Sequence, residues 1–258
     1  GDHLFGLFGL LSTMAMSGRV GDLHIYGPEA IGKILSFFME NFGEGIKYRI
    51  EVHSIKCKEP VQIMDSKQVE VFAFPLVHRG ETYGFLFKEK TPQLNVKKHL
   101  IEPYNLSLYE IARLKEGMDL QRTATFIDDD GTEVEYEETL KNEEFTYLPY
   151  KPRSFAYCTD TLPFKRLEGW IRGADLIYHD STYTNEFADL AKTTFHSTSS
   201  AAACCAREAG VGKLVLGHYS SRYKSLETML EEAQIIFPNS VLAKEGMKFE
   251  IPLEKFNE

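Results

Sequence analysis

Three short β-prone segments, each ending in one potential metal ligand, constrain this chain more than any other feature. Two end in histidine and one in aspartate: Phe74-Pro75-Leu76-Val77-His78, Lys213-Leu214-Val215-Leu216-Gly217-His218 and Phe155-Ala156-Tyr157-Cys158-Thr159-Asp160. A residue in this position stands where a strand meets its loop, so a rigid scaffold holds it. The pattern predicts a metal site built at the ends of strands.

Strands and helices alternate around these segments. Residues 22–29 are predicted to form a strand that leads into a helix, and further helices are predicted at 164–172 and 199–209. A chain of 258 residues that is 43% hydrophobic can bury one large core. We expect a single α/β domain over residues 1–258. The Lys-, Glu- and Asn-rich stretch at about 91–117 interrupts the alternation and is predicted to be a projecting arm.

Composition and charge argue against a nonspecific nucleic-acid-binding protein, a disulfide-bonded protein and a membrane-spanning protein. The net charge of −9 opposes nonspecific binding to nucleic acid, so any RNA contact is expected to be local. The four cysteines (Cys57, Cys158, Cys204 and Cys205) lack C-x-x-C spacing and are expected to be reduced, buried thiols. No apolar run approaches the roughly 20 residues that span a bilayer. We therefore expect a cytoplasmic protein with no membrane contact.

The types of the candidate ligands favour one class of ion. Imidazoles with carboxylates suit zinc, manganese or iron, whereas calcium sites use oxygen ligands. The chain begins with a further pair, Asp2-His3, that precedes an apolar, glycine-containing helix. A single histidine after a strand is more often a hydrogen-bonded structural residue, so the ordered set carries the prediction. The remaining histidines His24, His53, His99 and His179 are expected to be structural.

Four motifs together resemble one family. They are Asp2-His3 with the segment Leu4–Thr13, His179-Asp180-Ser181-Thr182, His196-Ser197-Thr198, and Gly217-His218-Tyr219-Ser220-Ser221-Arg222-Tyr223. In this order they resemble ribonuclease Z, the tRNA 3′-processing endonuclease family of the metallo-β-lactamase superfamily. The resemblance runs from Gly1 to about Phe237.

The resemblance implies an α/β (α+β) fold of the metallo-β-lactamase type, a four-layer αββα sandwich with a projecting arm. The first strands, and two further histidines of the family's H-x-H-x-D-H signature, are expected to precede Gly1. The arm is similar to one that grips tRNA. The matching segment here, Glu102-Pro103-Tyr104-Asn105-Leu106-Ser107-Leu108-Tyr109, lacks the Gly-Pro pair that is usual in bacterial members.

The resemblance also implies the ligands of two zinc ions per subunit, with manganese or iron as alternatives. Asp2, His3, Asp160 and His218 would hold one ion. His78 and the bridging Asp160 would serve the other. Asp2 would in addition orient the bridging water, which makes it a catalytic residue as well as a ligand.

Proton transfer and substrate binding are carried over in the same way. His196 is the candidate donor of a proton to the leaving 3′ oxygen, because imidazole titrates near working pH, and Asp180 would hold its tautomer. The alternative is that the two merely brace a loop. Arg222 offers a planar fork for phosphate, with Ser220 and Ser221 as further donors, although an exposed loop arginine is the plainer interpretation.

The implied function is a metal-dependent endoribonuclease that removes the 3′ trailer from precursor tRNA. It would act through attack of a metal-bound hydroxide, leave a 3′-hydroxyl on the tRNA and work as a homodimer. Two alternatives stay open. One is a metal-dependent hydrolase of small phosphodiesters or other esters, since one fold hosts many chemistries. The other is a noncatalytic RNA-binding fragment.

Overall fold

The computed structural model describes residues 3–256. In chain order the elements are α1 (Phe5–Met16), β1 (Leu23–Gly27), α2 (Ala30–Phe42), β2 (Ile50–Ser54), β3 (Val61–Asp65), β4 (Val69–Pro75), β5 (Tyr83–Glu89), β6 (Asn95–Val96), α3 (Lys98–Ile101), α4 (Leu108–Lys115), β7 (Leu120–Ile127), β8 (Glu133–Leu140), α5 (Asn142–Phe145), β9 (Thr146–Tyr147), β10 (Ser154–Cys158), α6 (Lys165–Trp170), β11 (Leu176–Asp180), α7 (Ala188–Thr194), α8 (Ser199–Ala209), β12 (Lys213–Gly217), α9 (Glu227–Ile236) and β13 (Ser240–Leu242). The chain divides into two compact units, one up to Lys88 together with 154–248, the other comprising 89–153 and 249–256 of the described residues.

A seven-stranded mixed sheet organises the first unit, in the order β13-β12-β11-β10-β5-β4-β3. Strands β10 to β13 run parallel, whereas β10 pairs antiparallel with β5. The carboxyl ends of parallel strands meet at one edge of a sheet, and ligand sites form there in open α/β sheets. Asp160, Asp180 and His218 therefore emerge side by side from β10, β11 and β12.

The core of this unit forms where α8 packs with the parallel strands. Four alanines of α8 are buried: Ala202, Ala203, Ala206 and Ala209. Their small side chains allow the helix to approach β11 and β12 closely, and Leu214, Leu216 and Ile177 fill the space beneath it. Thr198 caps the start of the helix, because its hydroxyl accepts from the Ala201 amide, and Gly210, with a left-handed backbone, ends it.

The first unit also contains a two-stranded parallel sheet, formed by β1 and β2. In its register His24 lies beside Glu51 and Tyr26 beside His53. Helices α1 and α2 contact each other through Phe8 and Phe38. The helix predicted after residue 29 is thus confirmed as α2.

The second unit has its own core, formed by Val96, Leu106, Leu114, Leu120, Leu140 and Phe145. Strands β7 and β8 form an antiparallel hairpin, and Ser107 and Glu110 form a capping box at α4. The stretch 91–117 lies within this unit. A tRNA-gripping role for it stays a prediction.

The four cysteines are free thiols. Cys158 and Cys205 are buried, but Cys57 and Cys204 are half-buried, so the prediction of full burial is wrong for these two. Cys204 and Cys205 are consecutive residues of α8, so their side chains point to different sides of the helix. Within residues 3–256, no helix combines the length and apolar character needed to cross a membrane.

Candidate metal centre

Three ligand candidates reach the site from strand ends by sharp changes of backbone direction. Asp160 follows β10 and His218 follows β12, and both have left-handed backbones, with φ of 52° and 61°. Residues other than glycine adopt this region rarely and at some cost, which is characteristic of functional sites. His78 follows β4, and the Val77 amide beside it donates to the Thr161 hydroxyl at 3.1 Å.

Asp160 is the centre of the cluster. The Nε2 atoms of His3 and His218 lie 2.9 Å and 3.1 Å from its Oδ2 and Oδ1, respectively. Nε2 of His78 lies 3.9 Å from Oδ2. Thr159 donates its hydroxyl to Oδ1 at 2.9 Å. Both carboxylate oxygens of Asp160 thus face imidazole nitrogens on different elements.

These spacings fit a metal centre. Ligands of a tetrahedral zinc at 2.0–2.2 Å are separated by roughly 3.3 Å, which lies within the range spanned by the His3, His78 and His218 distances to Asp160. The donor set of neutral imidazole and carboxylate is also the one that zinc, manganese and iron accept. The residues present therefore suit a divalent metal ion.

Hydrogen bonds at Nδ1 orient two of these histidines. Nδ1 of His78 is 2.9 Å from the Phe195 carbonyl, which only accepts, so this nitrogen donates. The Thr182 hydroxyl donates to the Asp180 carboxylate at 2.7 Å and therefore accepts from Nδ1 of His218 at 2.8 Å. Each ring then keeps a bare Nε2 lone pair directed at Asp160, as a metal ligand requires.

A second aspartate, Asp180, holds His196 beside this cluster. Asp180 is fully buried. Its Oδ2 accepts from His196 Nδ1 at 2.8 Å and from the Thr161 amide at 3.0 Å, and its Oδ1 accepts from the amide and hydroxyl of Thr182. Although Asp180, His196 and His218 also stand close enough to share an ion, four donors already occupy the Asp180 carboxylate. It is placed to position His196.

Asp180 and His196 shift each other's pKa. Burial alone would raise the pKa of Asp180, but hydrogen bonds from His196 and Thr182 outweigh it and lower the pKa below its usual value. Burial alone would lower the pKa of His196, but the hydrogen bond and charge of Asp180 raise it above its usual value. The His196 ring lies 5.0 Å from those of both His78 and His218.

A tyrosine explains the glycine before His218. A side chain on Gly217 would collide with the ring and hydroxyl of Tyr178. The Tyr178 ring stacks on that of Tyr157 at 4.9 Å, and burial raises the pKa of Tyr178 to about 12. The Gly-His pair therefore lets a neutral aromatic side chain pack directly under the ligand loop.

The cluster opens into a cleft of about 760 Å³. His3, His78, Asp160, His196 and His218 line its polar end. Its other walls are largely aromatic or apolar and include Tyr26, Pro28, Ile31, Ile34, Tyr83, Phe85 and Tyr157. A polar end with convergent ligands in such a cleft is the usual form of a binding site.

The predicted substrate-binding residues lie beside the cleft rather than in its lining. The Arg222 guanidinium stacks over the rings of Phe187 and Tyr183 at 4.5 Å and 5.1 Å, and its Nε donates to the Ser220 hydroxyl at 3.1 Å. Arg222 and Ser221 are exposed and Ser220 is half-buried. The arginine is held in one orientation at the surface.

Of the other predicted site residues, Asp2 lies outside the described residues. His179 is structural as expected: it is buried, donates from Nδ1 to the Asp180 carbonyl, and burial lowers its pKa. His24 is exposed and His53 half-buried, and they lie together with Glu51. Sequence reasoning missed the orienting acceptors Thr182 and Phe195, although Thr182 belongs to a motif that it had singled out.

Several known proteins are similar to this chain over almost its whole length. No family model matches the chain. Ribonuclease Z of Porphyromonas gingivalis is 38% identical over 251 residues, which cover 97% of this chain and 79% of that protein. Ribonuclease Z of Cytophaga hutchinsonii is 38% identical over 249 residues, 96% of this chain and 76% of that protein. The protein of the same name from Bacteroides thetaiotaomicron is 36% identical over 247 residues, 96% and 74% of the two chains.

Solved structures agree on the architecture. Human tRNase Z, short form, matches 98% of this chain and 76% of its own with a TM-score of 0.62 at 21% identity. The metallo-β-lactamase fold protein YhfI of Bacillus subtilis matches 93% of this chain and 70% of its own with a TM-score of 0.55 at 15% identity. These likenesses confirm the predicted metallo-β-lactamase fold.

Proposed function

Because this chain belongs to the ribonuclease Z family, we propose that it is an endoribonuclease that removes the 3′ trailer from precursor tRNA. The proposal rests above all on one observation. A buried Asp180 holds His196 between the rings of His78 and His218, next to a carboxylate that faces three histidines. Metal-assisted hydrolysis of a phosphodiester uses ligands for the metal and a proton donor for the leaving oxygen, and here the candidates for both are neighbours.

We propose two zinc ions per subunit, held by Asp2, His3, His78, Asp160 and His218, with manganese or iron as alternatives. Asp160 would serve both ions, since its carboxylate faces His3 and His218 of one proposed ligand set and His78 of the other. When bound, such ions supply Lewis acidity, activate water near neutral pH and clamp the two oxygens of an in-line displacement. Asp2 would accept a hydrogen bond from the attacking water.

His196 would act as the general acid. Hydrolysis breaks the bond between phosphorus and the 3′ oxygen of the tRNA, and the oxygen of water joins the phosphate that stays on the trailer. The departing 3′ oxygen needs a proton to become the 3′-hydroxyl. His196 is suited to give it from Nε2, because Asp180 occupies Nδ1 and the ring lines the cleft.

Ser220, Ser221 and Arg222 would bind backbone phosphates next to the cleaved one. Stacking on Phe187 and Tyr183 orders the Arg222 guanidinium in advance, which reduces the entropy lost on binding. A local contact of this kind suits a chain of net charge −9. We further propose that the protein is a cytoplasmic homodimer.

The test is cleavage of a 3′-extended precursor tRNA by the complete gene product, with Zn²⁺ or Mn²⁺ and mapping of the new end. A cut after the discriminator base that chelation abolishes supports the proposal. Turnover of a chromogenic phosphodiester without tRNA cleavage would favour the small-substrate hydrolase. Binding of tRNA with no cleavage, at full metal occupancy, would favour a noncatalytic role.

A further inference from the structure

A second cluster of potential ligands lies on the two-stranded sheet. Nδ1 of His24 is 3.0 Å from Nε2 of His53. Oε2 of Glu51 is 3.3 Å from that atom of His24 and 3.8 Å from that of His53. The parallel register of β1 and β2 brings them together, because His24 pairs with Glu51, and His53 lies two residues further on the same face.

Hydrogen bonding within the cluster leaves part of it unsatisfied. Three atoms with lone pairs face one another, and one proton between His24 and His53 serves a single edge of the triangle. A cation at its centre serves all three. Edges of 3.0, 3.3 and 3.8 Å put a point equidistant from the three atoms at roughly 2.0 Å from each, which matches zinc–nitrogen and zinc–oxygen bonds.

Neighbouring groups hold the ligands in this arrangement. Arg49 binds the other oxygen of Glu51, Oε1, at 2.9 Å, which leaves Oε2 turned to the histidines. The Tyr26 ring stacks on His53 at 4.5 Å with an interplanar angle of 14°. Orienting contacts of this kind are what fix ligands around protein-bound metals.

We propose that His24, Glu51 and His53 form a mononuclear site for a divalent transition metal of the zinc class, separate from the Asp160 centre. Two imidazoles and one carboxylate leave a fourth position for water or a further ligand. The side chains of His24 and His53 are 48% and 40% exposed, so an ion can enter from solvent. Bound metal would tie β1 to β2 behind Tyr26, a wall of the cleft. The inference does not depend on the proposed function.

The decisive experiment counts bound metal. The purified protein is stripped with a chelator and dialysed against Co²⁺ or Zn²⁺, and metal per chain is measured for the parent and for His24→Asn/His53→Asn. His99→Asn, a histidine of the other unit, is the matched control. We expect the double variant to bind one equivalent less than the parent and the control to bind the same. Equal stoichiometry in all three proteins would overturn the proposal.

A second measurement uses the unaltered protein and so survives misfolding of the variant. With ¹⁵N-labelled histidine, Zn²⁺ should shift Nδ1 of His24 and Nε2 of His53 in NMR spectra with the same midpoint. Glu51→Gln, which keeps the shape and removes the charge, should weaken this binding at least tenfold. If the two ring signals do not move together, there is no shared ion at this site.

Discussion

Asp160 and Asp180 stand at the ends of neighbouring strands of one sheet, yet the structure equips them for opposite tasks. Among the described residues, the polar groups that face Asp160 are three imidazoles from other elements and the hydroxyl of Thr159. Asp180 is surrounded by four donors from Thr161, Thr182 and His196. One carboxylate keeps oxygens available to a ligand, and the other has none left.

The difference teaches that hydrogen-bond partners, and not residue type or position on the sheet, distinguish the candidate ligand Asp160 from the candidate positioning residue Asp180. A carboxylate that accepts several hydrogen bonds is stabilised in its charged form and cannot turn toward a metal without breaking them. The negative charge of a carboxylate that faces unprotonated nitrogens is poorly stabilised until a cation binds beside it. Substitutions of Asp160 and of Asp180 should therefore have different effects on metal binding and stability.

The largest effect is expected at Asp160. Asp160→Asn should lose bound metal and lower RNA cleavage by more than about 10⁴-fold, beyond the roughly 10²–10⁴-fold that a general acid contributes. Metal analysis and single-turnover cleavage measure both. Asp129→Asn in the hairpin turn is the matched control and should change neither. Normal metal content in Asp160→Asn would refute its assignment as a ligand.

His196→Ala should lower the cleavage rate by about 10²–10⁴-fold while bound metal stays the same, because the proton donor is lost and the ligands remain. Cleavage rates and metal content are measured on one preparation. A precursor tRNA with a better leaving group at the cleaved bond, a 3′-bridging sulfur in place of the 3′ oxygen of the tRNA body, should restore much of the rate since a thiolate needs no proton to leave. Full activity of the variant on the natural substrate would leave His196 with the loop-bracing role.

Thr182→Val should weaken metal binding by about 10–100-fold, because the valine cannot accept from Nδ1 of His218 and that ring loses its fixed tautomer. Competition with a chromophoric chelator gives the affinity. Thr193→Val, an exposed threonine of α7, serves as the control. An unchanged affinity would mean that the backbone alone orients His218.

Asp180→Asn should destabilise the metal-free protein by about 1–3 kcal/mol, since an amide cannot accept all four hydrogen bonds. Asp160→Asn should cost less than about 1 kcal/mol, because its partners His3 and His218 are partly exposed. Urea unfolding in chelator measures both free energies of unfolding. A larger loss at Asp160 than at Asp180 would reverse the comparison.

The smallest expected effect is a pH dependence of the stability that Asp180→Asn loses relative to the parent protein. The lowered pKa of Asp180 means that its contribution is present above its unfolded pKa, about 3.9, and is lost as pH falls through the folded value. The raised pKa of His196 means that its contribution is present below about pH 6.5 and is lost as pH rises through the folded value. The stability gap between parent and Asp180→Asn should be widest between these limits. Unfolding in chelator from pH 3.5 to 8.5 tests this; a gap that does not vary with pH would contradict it.

Much of the fold could be predicted from local patterns. The β-prone segment 213–217 and the predicted helix 199–209 have clear local patterns, and they appear as β12 and α8. Strand β3 (Val61–Asp65) was missed, because its residues are mostly exposed and its pairing with β4 includes a register shift. Such a strand has little apolar pattern of its own.

The candidate site divides in the same way. His78, Asp160 and His218 could be named from the chain, because each follows a β-prone segment within a few residues. Thr182 and the Phe195 carbonyl could not, since a threonine hydroxyl and a backbone oxygen are common groups that matter here through one contact each. The proximity of His24 to Glu51 and His53 likewise could not be predicted from the chain, because His24 lies on β1 and the other two lie on β2.

The amino-acid sequence by itself determined the strand and helix order, the ligand types at the strand ends and the family, because these depend on residue identity and short-range spacing. The tertiary structure decided which aspartate is open and which is saturated, which ring nitrogen of His78, His196 and His218 faces the cleft, and that His24 meets His53. Each of these depends on hydrogen bonds between residues distant in the chain, and their geometry exists only once the sheet has formed.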